Sequence, residues 1–114
     1  MNKVSSQISL EDFSKIEMRV GTIVKAKDFP EAKRPAYKLE IDFGEFGIKK
    51  SSAQITELYN LEDLVGRKIV AVINFPPKQI ANFMSECLVL GAVDEAQISL
   101  LGVDETVKNG LRIA

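Results

Sequence analysis

Histidine is absent from this sequence, and cysteine occurs once, at position 87. Without histidine there is no Ser-His-Asp or Cys-His triad and no imidazole acid–base chemistry. The commonest transition-metal ligand is missing as well, and one thiolate cannot build a zinc site. Nor can Cys87 close an intramolecular disulfide, which fits a reducing compartment. No apolar run reaches the length that crosses a bilayer, and no basic-then-apolar leader opens the chain. The expectations are a cytoplasmic protein that is not inserted in a membrane, is not an enzyme, and uses neither cofactor nor metal. An excess of one charge is also lacking. The 15 Lys and Arg face 16 Asp and Glu, for a net charge of −1, so global attraction to nucleic acid is not expected. A small basic excess between Arg19 and Leu90, against acidic ends, reads as an ordinary solvated mixed surface.

What is present is a chain of 114 residues, 46% hydrophobic and 27% charged. That suits one globular domain, residues 1–114, with a core of its own. Ser9 is placed to cap a short helix with Glu11 and Asp12 in its first turn, and Phe13 and Ile16 share one face of it. From Met18 the period changes to two. Met18, Val20, Thr22, Val24 and Ala26 form one face of a half-buried strand, with Gly21 marking a bulge or sharp bend. Tyr37, Leu39, Ile41 and Phe43 alternate with polar residues in the clearest strand of all, and GEFG turns it into IKKSSAQI. ITELYNLEDLVG reads as one or two helical turns ending at Gly66, and RKIVAVINF as a central strand. ECLVLGAV and QISLLGV read as further strands, and Asn109-Gly110 as a turn before the apolar end. Five or more short strands with a helical insertion point to an all-β, five-stranded OB-type barrel; a split-barrel or SH3-like fold is the alternative.

Two stretches stand out as candidate contact surfaces. Ser51, Ser52 and Gln54 follow Lys49 and Lys50 and can meet phosphate, sugar or base edges. The competing role, favoured on residues alone, is a helix cap by Ser51 or Ser52. The second stretch is NFPPKQIANFMSE, Asn74 to Glu86, oily and held stiff by Pro76 and Pro77. Phe75 and Met84 are expected to face outward, while Ile80 and Phe83 are divided between plugging the barrel and binding a guest. Cys87 has no cation or base beside it and reads as a small buried apolar residue. The paired acids look like caps and turns, and GEFG lacks the lysine and hydroxyl of a phosphate loop.

FSKIEMRVGTIVKAKDFPEAKRPAYKLEIDFG and IKKSSAQITELYNLEDLVGRKIVAVINFPPKQIA together resemble the CsaA-type secretion chaperones. These fall within the wider class of OB-fold tRNA-binding domains, also appended to methionyl- and phenylalanyl-tRNA synthetases. The likeness runs from about Phe13 to Ile113 and is carried by Arg19-Val20-Gly21, SSAQI, and Asn74 with Pro77 and Ser85. It implies an OB-fold homodimer whose barrel core spans about 17–92, flanked by dimerisation segments 9–16 and 95–114. Phe13, Ile16, Ile98, Leu100, Leu111 and Ile113 are the expected interface, half of them shared with ordinary core packing. For the CsaA type the resemblance implies binding of unfolded or pre-export polypeptide and partnership with the Sec export machinery. Phe75, Pro76, Ile80, Phe83 and Met84 are the peptide-binding candidates. For the wider class it implies tRNA as the alternative ligand, met by Lys49, Ser51, Ser52, Gln54, Asn74, Lys78 and Ser85. Asn82 stands where the family commonly carries Gly, so a left-handed backbone is expected there. Cys87-Leu88 stands where Gly-Met is usual, and the scarcity of charge in PPKQIANFM tilts the ligand toward polypeptide.

Overall fold

The computed structural model describes residues 4–114. Ser9 caps α1 (Leu10–Ser14): its hydroxyl accepts from the Asp12 amide at 3.0 Å, and the Asp12 carboxylate accepts from the Ser9 amide. This reciprocal pair satisfies two of the amides that a helix start leaves free.

The first strand, β1 (Met18–Asp28), pairs antiparallel with β2 (Tyr37–Asp42), and the register slips between Ile23 and Lys25. The bulge shifts the phase. Ile23 is fully buried before it, Val24 is turned out to 44% exposure, and Ala26 packs on the core after it. Of the expected face Val20 is buried and Ala26 packs on the core, but before the bulge the residues that face Ile41 and Phe43 in the barrel are Gly21 and Ile23. Gly21 is not the bulge; it stands in regular register opposite Ile69. Its bare Cα serves a close approach, since a Cβ there would lie 2.6 Å from Ile41 Cγ2 and 2.7 Å from Phe43 Cε1.

In β2 the expected alternation is present, with Tyr37, Leu39 and Ile41 buried. A 3-10 turn at Gly44–Phe46 leads to β3 (Ile48–Ala53), which pairs with β2 without interruption from Asp42↔Ile48 to Tyr37↔Ala53. Ser51 and Ser52 thus lie inside a strand and cap nothing. The helix after them, α2 (Leu61–Leu64), is entered from Asn60, whose amide donates to the Asp63 carboxylate at 3.0 Å.

Next comes β4 (Lys68–Val72), buried from Ile69 to Val72. NFPPKQIANFMSE is not an irregular loop: it folds into a hairpin of β5 (Lys78–Ile80) and β6 (Phe83–Ser85). The positive φ of its turn, 51°, falls on Ala81 and not on Asn82. ECLVLGAV is split at Leu90 into β7 (Leu88–Val89) and β8 (Gly91–Asp94), and β8 pairs with β9 (Gln97–Leu100).

The main sheet runs β3-β2-β1-β4-β7. It curls until its ends nearly meet: the Glu86 amide donates to the Lys50 carbonyl at 2.7 Å, and the Ser51 hydroxyl donates to the Cys87 carbonyl at 2.9 Å. The result is a nearly closed, five-stranded OB-type barrel around Ile23, Ile41, Phe43, Leu64 and Ile69, none of which is exposed. Past the Asn109-Gly110 turn the chain returns along β1. The amides of Val20 and Ile113 donate to the carbonyls of Leu111 and Met18, at 3.0 and 2.9 Å. Among the described residues no helix is long and apolar enough to cross a membrane.

Candidate ligand-binding rim

Strands of a barrel bury one face, so a surface for a guest must come from what stands at its rim. Here that is the hairpin and the segment after it. Phe75, Pro76 and Ile80 line a groove of about 370 Å³ together with Lys78, Ser85 and Leu88. Phe75 and Leu88 are 54% and 50% exposed, large apolar side chains that the fold covers only in part. Ser52 reaches the groove from β3 and Cys87 from its base.

Three of the five peptide candidates therefore meet in one place. Met84 pairs with Gln79 and is exposed as expected, yet lies away from the groove. Phe83 does not plug the barrel. Its ring meets that of Phe29 edge-on at 5.5 Å, and the Nζ atoms of Lys50 and Lys38 sit 5.3 and 6.0 Å from its centroid. With Lys25 and Lys27 it lines a shallow hollow outside β1 and β2. Such stacking of cations on an aromatic face is worth about 0.5–1 kcal/mol each at exposed sites.

The seven tRNA candidates are sorted more sharply. Ser52, Lys78 and Ser85 stand together in the groove, and Gln54 joins Ser52 and Lys78 in an adjoining cleft of about 590 Å³. Ser51 is 1% exposed, and its hydroxyl is engaged with the Cys87 carbonyl, so it joins β3 to the closing segment. Lys49 shares its side of β3 with Ser51 and Ala53, whereas period two brings Lys50 to the side of Ser52. Asn74 is also engaged internally. Its Oδ1 accepts from the Glu17 amide at 3.0 Å, and its Nδ2 donates to the Lys15 carbonyl at 2.7 Å. It ties the end of β4 to the exit of α1.

The polar residues nearby fit the same division. The Arg19 guanidinium bonded to Glu17 holds that carboxyl below its ordinary range, with Arg112 adding to the effect. Burial pushes the Cys87 thiol from its ordinary value near 9.0 up to about 11. A thiol so protonated at neutral pH is a poor nucleophile, as its surroundings in the sequence suggest.

Leu88, Lys33 and Arg34 also line the two clefts, and sequence reasoning did not single them out. Leu88 was hidden in an apolar strand, although its place two residues after the charged Glu86 could have marked it as outward. Lys33 and Arg34 lie in the β1–β2 loop, and nothing local shows that the loop crosses to the hairpin.

The model of the putative tRNA binding domain family matches residues 18–112. Methionine–tRNA ligase of Methanocaldococcus jannaschii is 36% identical over 108 residues, covering 94% of this chain and 16% of that enzyme. The chain thus spans about 16% of such curated relatives. Among solved structures, chaperone CsaA from Bacillus anthracis superposes with a TM-score of 0.91 at 51% identity, covering 96% of this chain and all (100%) of that one. CsaA chaperone protein from Picrophilus torridus gives 0.89 at 54% identity, covering 95% and 100% of the two chains. A MetRS related protein from Pyrococcus horikoshii gives 0.86 at 28%, covering 96% and 100%.

Proposed function

The chain belongs to the tRNA-binding-domain family and is of the CsaA type, and on that premise we propose that it binds non-native polypeptide along the barrel rim. The observation that carries this reading is the half-exposed apolar groove of Phe75, Pro76, Ile80 and Leu88, with Lys78 of the hairpin beside them. An apolar groove with few polar groups suits an extended, unfolded segment more than a phosphate backbone. The role is one of binding, without a catalytic step. It places the protein in the cytoplasm, taking clients before export and handing them to the Sec machinery.

The working form is a homodimer. Val4, Ile8 and Leu10 are 97%, 69% and 81% exposed, and Ile16 and Leu111 are exposed as well. A second copy is the natural cover for such a patch. Phe13 and Ile113 are half-buried at its margin, while Ile98 and Leu100 pack on the barrel core and serve the interface least. Two grooves on one dimer raise avidity for a long client.

A second reading rests on a separate observation, the Phe83 ring framed by Lys38 and Lys50. With the family membership it favours tRNA, bound through phosphate neutralisation and stacking. The two readings part in one assay pair. Suppression of aggregation of a denatured client should be lost in Phe75→Ser with the fold intact; unchanged suppression removes the groove from the function. Filter binding of tRNA should fall in Lys50→Glu with Lys78→Glu if RNA is the ligand, and a flat titration of the parent at low salt removes that reading.

A further inference from the structure

The hairpin closes on the Ile80–Phe83 pair across two turn residues. The pair flanking such a turn exchanges its main-chain bonds, and bonding alternates outward from it. Lys78 and Ile80 therefore direct their main-chain groups at β6, and Gln79 directs its own away. The β6 side is occupied, because β6 runs along β3 and the Ser85 hydroxyl accepts from the Ser52 amide at 3.3 Å. The other side is open. Among the described residues no partner meets the Gln79 amide or carbonyl, and its side chain turns to the Ala81 carbonyl.

The adjoining cleft of about 590 Å³ is bordered by this same strand, β5. Lys78, Gln79, Ile80 and Ala81 line it in succession. A strand that presented a face would contribute every second residue; three consecutive strand residues, followed by Ala81 of the turn, mean that an edge borders the cleft. Lys33 and Arg34 line it as well, and Glu31 is its one acid. Among the described residues Lys33, Arg34 and Lys78 make no ion pair. The cleft therefore favours an anionic guest. It continues into the apolar groove, since both share Ser52, Lys78 and Ile80.

We propose that β5 receives an extended polypeptide by main-chain pairing at Gln79, with apolar guest side chains in the groove and acidic ones against Lys33, Arg34 and Lys78. This rests on the polypeptide reading above and specifies how the client is held. Strand addition draws its affinity from the main chain and its selectivity from alternate side-chain pockets, which suits a binder of many sequences. A nucleic-acid strand would use the cations and could accept from the Gln79 amide, but it lacks the paired N–H and C=O of a peptide that would meet both main-chain groups of Gln79.

The test uses the full chain and a synthetic peptide of alternating Leu and Asp, labelled at one end and followed by fluorescence anisotropy. Two further peptides are N-methylated at every Leu amide or at every Asp amide. One phase of methylation should weaken binding about tenfold or more, roughly 1.4 kcal/mol, and the other phase should spare it. Gln79→Pro removes the outward amide where an edge tolerates proline and should weaken the plain peptide similarly. Replacing Asp by Lys in the peptide should weaken binding most at low salt. If both methylated peptides bind like the plain one, edge pairing is overturned and the polypeptide reading stands. If no peptide binds the parent while tRNA does, both are overturned. The methylation arm needs no variant to fold.

Discussion

The barrel wall and the β5–β6 hairpin use similar residues to opposite ends. In the wall, Phe43 and Ile41 close over the bare Cα of Gly21 and none of the ring is exposed. On the hairpin side, Phe75 and Leu88 are half exposed and Gln79 leaves main-chain groups unpaired. Polar residues divide in the same way: Ser51 and Asn74 are consumed within the fold, while Ser52 and Lys78 border open space. The difference teaches that proximity in sequence is no guide to role here. Ser51 and Ser52 are neighbours, and the pleat alone separates a structural hydroxyl from a rim one.

If the wall sets stability and the rim sets binding, substitutions should affect one and not the other. The largest stability loss is expected from Phe43→Ala, about 3–5 kcal/mol in urea unfolding, since a fully buried ring leaves a cavity. Gly21→Ala should cost about 1–3 kcal/mol, because Ile41 and Phe43 must move to admit the methyl group. Asn74→Ala should cost about 1–2 kcal/mol through two lost bonds, with client binding unchanged. A binding loss there at normal stability would return Asn74 to the ligand face. Leu88→Ser should change stability by less than about 0.5 kcal/mol and still weaken client binding in an aggregation assay. Equal effects on both would break the comparison.

The smallest effect is one of pH. Cys87 has a folded value raised to about 11 from an ordinary 9.0. The folded state then keeps its proton where the unfolded chain has lost it. Its contribution is complete below about 9.0 and is lost as pH rises through about 11. Denaturation titrations of Cys87→Ala should show a flatter alkaline decline than the parent. An identical decline would show that other groups set it.

Legibility varied with the range of the interactions. The α1 cap was readable because Ser9 and Asp12 lie within one turn of each other. The strand β2 was readable because its alternation is local. The phase of β1 was not, because a bulge at Ile23–Lys25 depends on its pairing with β2. The hairpin in NFPPKQIANFMSE was missed because its positive φ falls on Ala81, a residue that carries no turn signal, and not on Asn82. Of the rim, Phe75, Pro76, Ile80, Ser52, Gln54, Lys78 and Ser85 were foreseen and are gathered at two adjoining clefts. Ser51, Asn74, Lys49, Phe83 and Met84 were foreseen beside them and lie elsewhere or are engaged inside the fold.

By itself the sequence pointed to an OB-type barrel over a split-barrel or SH3-like fold, to the family by resemblance, and to the stretch that carries the oily surface. Each rests on local periodicity, composition or motif, which survive in one dimension. Only the tertiary structure decided which groups remain free to meet a guest. That depends on partners far along the chain: Cys87 for Ser51, Glu17 and Lys15 for Asn74, β3 for β6. A hydrogen-bonding group offers itself to a ligand only after the fold has declined to use it, and long-range pairing makes that choice.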